Sequence, residues 1–290
     1  MPSPRSTASA RPLRLRDGRI IRFPAVMGVL NVTPDSFSDG GRYLDPARAV
    51  DHALEMEAAG AAIIDVGGES TRPVGAREVP LEVELARVEP VLDQLPRSLR
   101  APISIDTRKA AVARAALERG AAIINDVSAL AADPEMARLA AESRCAVVLM
   151  HMRGGPEDHM KFARYRDVVE EVSRYLAARA RFAVGMGIPR SRIIVDPGIG
   201  FAKSAHHNLQ ILSGLSKICA LGYPVLVGAS RKTFVRRISG GSEADIVFGT
   251  AAVNALAIAA GASIIRVHDV GPAAAVMRMG RAIAAARSRV

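Results

Sequence analysis

One six-residue phrase recurs three times: Gly60-Ala61-Ala62-Ile63-Ile64-Asp65, Gly120-Ala121-Ala122-Ile123-Ile124-Asn125 and Gly261-Ala262-Ser263-Ile264-Ile265-Arg266. A short, apolar, β-branched run bounded by glycine reads as a fully buried strand. The polar residue closing each run is costly to bury without a partner or a ligand. Three strands of one design, each delivering a different polar group at the same end, predict a parallel barrel whose mouth is a binding site.

The rest of the chain fits that frame. At 290 residues it accommodates one barrel of roughly 250 residues with short extensions, and no second domain is needed. Its apolar stock is aliphatic, as close helix-on-strand packing requires: 49% of residues are hydrophobic and only 4% aromatic. Its apolar runs fall short of the roughly 18 residues of a membrane span. The formal charge of +10 is concentrated in two segments, with six Arg and one Asp in 1–22 and four Arg without acid in 277–290. With no aromatic platform or nucleic-acid module, solubilising tails are the favoured explanation and nucleic-acid binding is not expected. Residues 1–13 are expected to be a basic, disordered tail, with a transit peptide as the alternative, and residues 14–290 the barrel. Cys145 and Cys219 lie in apolar surroundings without a secretory signal, which favours buried free thiols and a reducing, cytoplasmic location.

Strand-like runs alternate with helical ones at βα spacing. Eight strands are predicted, over 25–30, 61–66, 102–106, 122–126, 146–151, 192–196, 224–228 and 263–268. A hairpin around Asp17-Gly18 precedes them and is expected to plug the lower end of the barrel. Asp45-Pro46 opens the first helix as N-cap and N1. A single helix is expected over 207–220, and an extra helix, 231–238, precedes 244–260 before the eighth strand. A doubly wound sheet is disfavoured, because no Gly-x-Gly-x-x-Gly follows the first strand.

The predicted C-terminal strand ends collect Asn31, Asp65, Asp106, Asn125, Asp196, Lys232, Arg266 and His268. Taken alone, Asp106 before Thr107-Arg108 reads better as a helix N-cap; eight such groups on one rim read as a site. Asp106, Asn125, Asp196 and Lys232 can clamp a planar, nitrogen-rich heterocycle. In that clamp the carboxylates accept, and the amide and ammonium donate. Asn31, Thr71, Arg72, Arg266 and His268 suit phosphate oxygens, and the turn Gly228-Ala229-Ser230 adds helix N-terminal N–H donors. His151 ends the fifth strand without the further ligands that Zn²⁺ would need, and His206-His207 reads as a solvated helix start. Arg174, Arg179 and Arg181 read as solvent-facing.

Seven segments in order resemble the dihydropteroate synthase family. The first is the run Met27-Gly28-Val29-Leu30-Asn31-Val32-Thr33-Pro34-Asp35-Ser36-Phe37-Ser38-Asp39-Gly40-Gly41, and the second is Asp65-Val66-Gly67-Gly68-Glu69-Ser70-Thr71-Arg72-Pro73. Ser104–Thr107, Ile124–Asp126, Asp196–Phe201, Gly228–Lys232 and Arg266–Val270 follow. The resemblance implies a (β/α)8 TIM barrel that joins 6-hydroxymethyl-7,8-dihydropterin diphosphate to p-aminobenzoate with Mg²⁺, through a pterin carbocation, as a homodimer. It implies pterin contacts from Asp106, Asn125, Asp196 and Lys232, with Met150 as the floor. Asn31, Thr71, Arg266 and His268 match the diphosphate side, and Asn31 and Asp35 the metal. Thr71, Arg72, Pro73, Phe37, Phe201 and Ser230 match the p-aminobenzoate pocket. Two departures stand out: Val74 between Pro73 and Gly75, and Ala202 where the family usually has Gly, tolerable there unless φ is positive. A corrinoid-linked methyltransferase barrel and a pterin-binding paralogue without turnover are the rival functions.

Overall fold

The recurring phrase is a turn-and-strand cassette. In each copy the glycine ends a helix in the left-handed region, at φ +110°, +94° and +105° for Gly60, Gly120 and Gly261. The next N–H reaches back to a helical carbonyl: Ala61 to Met56, Ala121 to Ala116 and Ala262 to Ala257, each at 2.9 Å. Together with the glycine N–H bonds to Glu57, Leu117 and Ile258, this is the Schellman closure that a glycine makes possible. The third residue already pairs with the preceding strand, as in Ala62 N–H to Val26 O at 2.8 Å. Arg144 ends its helix in the same left-handed region without glycine, at φ +54°, its N–H reaching Ala141 O at 3.3 Å.

The computed structural model describes residues 11–33, 45–69, 79–154 and 159–287. Eight parallel strands form the sheet: β1 Ala25–Asn31, β2 Ile63–Gly67, β3 Ile103–Asp106, β4 Ile123–Asp126, β5 Ala146–Met150, β6 Ile193–Asp196, β7 Leu226–Val227 and β8 Ile264–Val267. They run in the order β6-β5-β4-β3-β2-β1-β8-β7, and a Val195–Val225 bridge joins the remaining edge. Helices alternate with them: α1 Pro46–Ala58, α2 Leu81–Leu92, α3 Leu95–Ser98, α4 Ala110–Glu118, α5 Pro134–Ser143, α6 Val168–Gly185, α7 Ala205–Ser213, α8 Leu215–Cys219, α9 Thr233–Ser239, α10 Glu243–Ala259 and α11 Val270–Arg287. The expected TIM barrel is present, with its additional helix α9 before β8.

Side chains alternate strictly along the strands. Ile64, Ile124 and Ile265 face outward to the helices. Ile63, Ile123, Ile194 and Ile264 face inward and pack with Leu13, Leu15 and Ile21 of the hairpin. The hairpin pairs Leu13 with Ile21 and Arg14 with Ile20, and it plugs the floor as expected. Leu13, assigned to the tail from sequence, is instead fully buried in that plug, because the floor needs an apolar side chain there. Each such burial contributes roughly 1.5–3 kcal/mol.

Two local expectations need correction. The predicted 207–220 helix breaks at Gly214, where a Cβ would meet Val169 Cγ2 at 2.9 Å on α6. Arg179 turns inward: its Nε donates to Ala129 O at 2.8 Å. The helix start expected at His206-His207 is present, with His206 exposed and His207 half-buried, and is refined by a capping box between His207 and Ser204.

Candidate active site

Two residues beyond the isoleucine layer, the same inward faces turn polar. The register explains which groups meet. Asp65 pairs through Ser104 to Ile123, and Asn125 through Val148 to Ile194, so each two-strand step shifts by two residues. Asp65, Asn125, Asp196 and Arg266 therefore form one layer supplied by alternate strands, as barrels of this kind require. The layer is bonded internally. Asn125 Nδ2 donates to Asp65 Oδ2 at 2.9 Å, and Arg266 Nε donates to the same oxygen at 2.7 Å. Arg266 Nη2 continues to Asp106 Oδ2 at 2.8 Å.

Above this layer opens a cavity of about 810 Å³, bordered by Asn31, Asp106, Asn125, Asp196, Lys232 and His268, among others. Asp106 is no helix cap: α4 starts four residues later, and the Ala110 N–H there donates to Asp133 Oδ2 at 2.8 Å. Burial pushes the Asp106 carboxyl up to about 7, against the pull of Arg266 and with Asp65 adding repulsion. Its Oδ1 is buried with no hydrogen-bond partner. Asp196 is likewise raised by burial, to about 6, although Gly198 N–H donates to its Oδ1 at 2.7 Å. Burial, then repulsion from Arg266, lowers Lys232 to about 8. Its ammonium lies 4.2 Å from the centre of the Phe201 ring, a cation–π contact. His268 is lowered to about 4 by burial and by Arg266, which makes it a neutral imidazole at pH 7. Its backbone N–H donates to Ser230 Oγ at 3.2 Å. Met150 packs with Val127 and Phe201 in a small apolar group beside the acids.

Two expectations change. Arg266, placed with the phosphate donors, has Nε and Nη2 committed to Asp65 and Asp106, because two buried carboxylates hold it at the barrel centre. Asn125, expected to donate to the ligand, has one of its two amide N–H groups committed to Asp65. The turn after β7 also runs further than predicted, with α9 starting at Thr233 and Lys232 at its N-cap position. Asp35, Phe37, Thr71, Arg72, Pro73 and Val74 lie outside the described residues. Ala202 has φ +49°, the one condition under which its methyl carries strain.

Sequence reasoning missed Lys203. Buried, it lines the same cavity, and its Nζ donates to Phe201 O at 2.8 Å and to His151 O at 3.3 Å, and contacts His151 Nδ1 at 3.0 Å. Burial lowers Lys203 to about 7 and His151 to about 2, so His151 stays neutral and accepts. This tripod fastens the 197–203 turn beneath the cavity. Gly198 shows how tight the turn is, since a Cβ there would sit 2.0 Å from His151 O. A lysine two residues past an aromatic residue carries no such signal in one dimension. Among the described residues no cluster of three or more His, Cys, Asp or Glu could by itself hold a metal ion. Asn31, on the rim near Gly67, offers one oxygen donor. That suits Mg²⁺, which takes few protein ligands and completes its shell with water and substrate phosphate.

The pterin binding enzyme family model matches residues 27–268. A dihydropteroate synthase from Mycobacterium leprae (strain TN) is 50% identical over 252 residues, 84% of this chain and 88% of the relative. The solved structure of Xanthomonas albilineans dihydropteroate synthase with 4-aminobenzoic acid superposes with TM-score 0.88 at 44% identity, covering 96% of this chain and 99% of that one. The Yersinia pestis dihydropteroate synthase in complex with a sulfonamide drug superposes with TM-score 0.88 at 40% identity, covering 94% and 99%.

Proposed function

This chain belongs to the dihydropteroate synthases of the pterin-binding enzyme family, and from that membership we propose how its own residues condense 6-hydroxymethyl-7,8-dihydropterin diphosphate with p-aminobenzoate. One observation carries the reading: two raised carboxylates, an amide and a lowered ammonium converge on one cavity, from three strand ends and the turn after β7. Asp106 and Asp196 accept from the amino-pyrimidine edge of the pterin. Lys232 donates to a ring acceptor, and Met150 packs on one ring face. The C–O bond to the diphosphate breaks first, leaving positive charge on the pterin methylene. The Asp106 carboxylate stabilises that charge at short range. The arylamine nitrogen then forms the C–N bond and releases a proton, and the products are 7,8-dihydropteroate and pyrophosphate.

His268 and Asn31 face the departing anion. As a neutral imidazole, His268 donates one N–H, and a nearby diphosphate raises its basicity. Asn31 and, outside the described residues, Asp35 would hold Mg²⁺, which would supply charge neutralisation to the leaving group. Ser230 and Phe201, with Phe37, Thr71, Arg72 and Pro73 outside the described residues, form the arylamine side. Sulfonamides then compete with p-aminobenzoate, as the complex of the Yersinia pestis relative suggests.

Phe248 (73% exposed), Leu256 (70%) and Met279 (63%) leave a broad apolar face on α10 and α11. We read this face as the homodimer contact, to be checked by solution mass. No single described helix is long and apolar enough to cross a membrane, and a cytoplasmic location is part of the proposal. The deciding assay supplies Mg²⁺, pterin diphosphate and p-aminobenzoate to the purified chain. Pyrophosphate release that depends on p-aminobenzoate is expected. Pterin binding without release would leave a binding paralogue instead.

A further inference from the structure

Asp65, which closes the first recurring phrase, has no part in the chemistry above; it is fully buried and does not line the cavity. We propose that Asp65 is a positioning residue whose Oδ2 fixes Asn125 with its amide oxygen, rather than its nitrogen, turned to the bound heterocycle. The proposal deepens the synthase reading and rests on it. A carboxylate only accepts, so the group facing Asp65 must be the Asn125 NH₂ end, and the 2.9 Å bond commits one of its two N–H groups and points the nitrogen to Asp65. Free amides rotate by half a turn at little cost, and without this bond both ends of Asn125 would sample the cavity. The same oxygen receives Arg266 Nε at 2.7 Å, which stops Asp65 itself from turning away. Arg266 is in turn held by Asp106 at 2.8 Å, so the brace is closed on both sides.

The consequence is a specificity rule. Among the described residues the cavity then presents acceptor oxygens from Asp106, Asp196 and Asn125 and the ammonium of Lys232, while the Lys203 ammonium is bonded to Phe201 O and His151 O. That set selects a ring edge rich in N–H groups and rejects isosteres carrying ring acceptors at the Asn125 position. The competing account makes Asp65 a counter-ion for Arg266, acting through charge alone.

Two substitutions separate these accounts in the full-length chain. Asp65→Asn keeps an acceptor oxygen and removes the charge; Asp65→Leu removes both. For Asp65→Leu, the KM for pterin diphosphate is expected to rise about tenfold, the loss of one orienting hydrogen bond, while the KM for p-aminobenzoate stays within about twofold. Asp65→Asn is expected to stay within about threefold for both substrates. Against an Asn125→Ala background, Asp65→Leu is expected to add less than about threefold, because the group it orients is gone. Equal impairment by Asn and Leu, or an undiminished effect of Leu in the Asn125→Ala background, overturns the proposal. If Asp65→Leu does not fold, Asp65→Asn still decides, since a loss of about tenfold or more there sinks it. Direct titration of pterin diphosphate onto the same proteins reads binding without turnover. A wild-type chain that binds but does not turn over would therefore fail the synthase reading without touching this one.

Discussion

The lower and upper halves of this barrel are written in the same strands, two residues apart, and they behave oppositely. Below, Ile63, Ile123, Ile194 and Ile264 meet each other and the hairpin, every contact satisfied. Above, Asp65, Asn125, Asp196 and Arg266 occupy the same inward line, and the carboxyls of Asp106 and Asp196 are held away from their ordinary acidity. The difference shows that one layer of the fold supplies stability while the next gives some of it up for recognition. Buried, partly unsatisfied oxygens are costly until a ligand brings donors to them.

The contrast can be broken from either side. Ile123→Ala in the lower layer is expected to destabilise the chain by about 2–5 kcal/mol in denaturant unfolding, with the KM for pterin diphosphate unchanged in the folded protein. A KM shift would show that the layers are not separable. Asp106→Asn makes the reverse change: turnover is expected to fall about 10²-fold or more, a loss of about 3 kcal/mol in the transition state. Its thermal midpoint at pH 8 is expected not to fall, because the raised Asp106 carboxyl is least stable when ionised. A drop in midpoint would make Asp106 structural, and unchanged kcat would remove it from the mechanism.

The pH response follows from the same groups. A raised carboxyl is protonated as pH falls through its folded value, here about 7 for Asp106 and about 6 for Asp196, and a protonated acid no longer offers a full acceptor pair. Lys232 loses its proton above about 8. Pterin affinity is therefore expected to be highest between about 7 and 8 and to weaken on both sides; a flat profile from 5 to 9 would contradict this. The smallest effect is at the bottom of the barrel. Arg144 is exposed and takes the left-handed conformation that glycine takes in the three recurring turns. Arg144→Gly is expected to raise stability by about 0.5–1 kcal/mol in thermal unfolding without altering turnover, and a loss would mean that this turn differs from the other three.

Much of this was legible in one dimension, for definite reasons. Repetition exposed the cassette, period-2 alternation exposed the two faces, and Asp45-Pro46 marked a helix start that the structure repeats, with Asp45 accepting from Ala47 N–H. Asp106, Asn125 and Asp196 at strand ends and Lys232 in the turn after β7 do border one cavity. What stayed hidden depends on which polar groups find each other. No linear signal tells that Arg266 bonds Asp65 and Asp106, 201 and 160 residues away, instead of waiting for an anion. Nor does it tell that Lys203 reaches back to His151, 52 residues earlier. Nor does it tell that position 214 lies against Val169 of another helix, so closely that only a glycine fits without a shift.

The floor of the barrel is stoppered by Leu13, Leu15 and Ile21, which come from the first two dozen residues of the chain. Anyone shortening this end to help crystals grow should stop before Leu13. Cutting further would uncork the isoleucine ring to solvent and loosen a reaction chamber at the far end that none of those three residues touches.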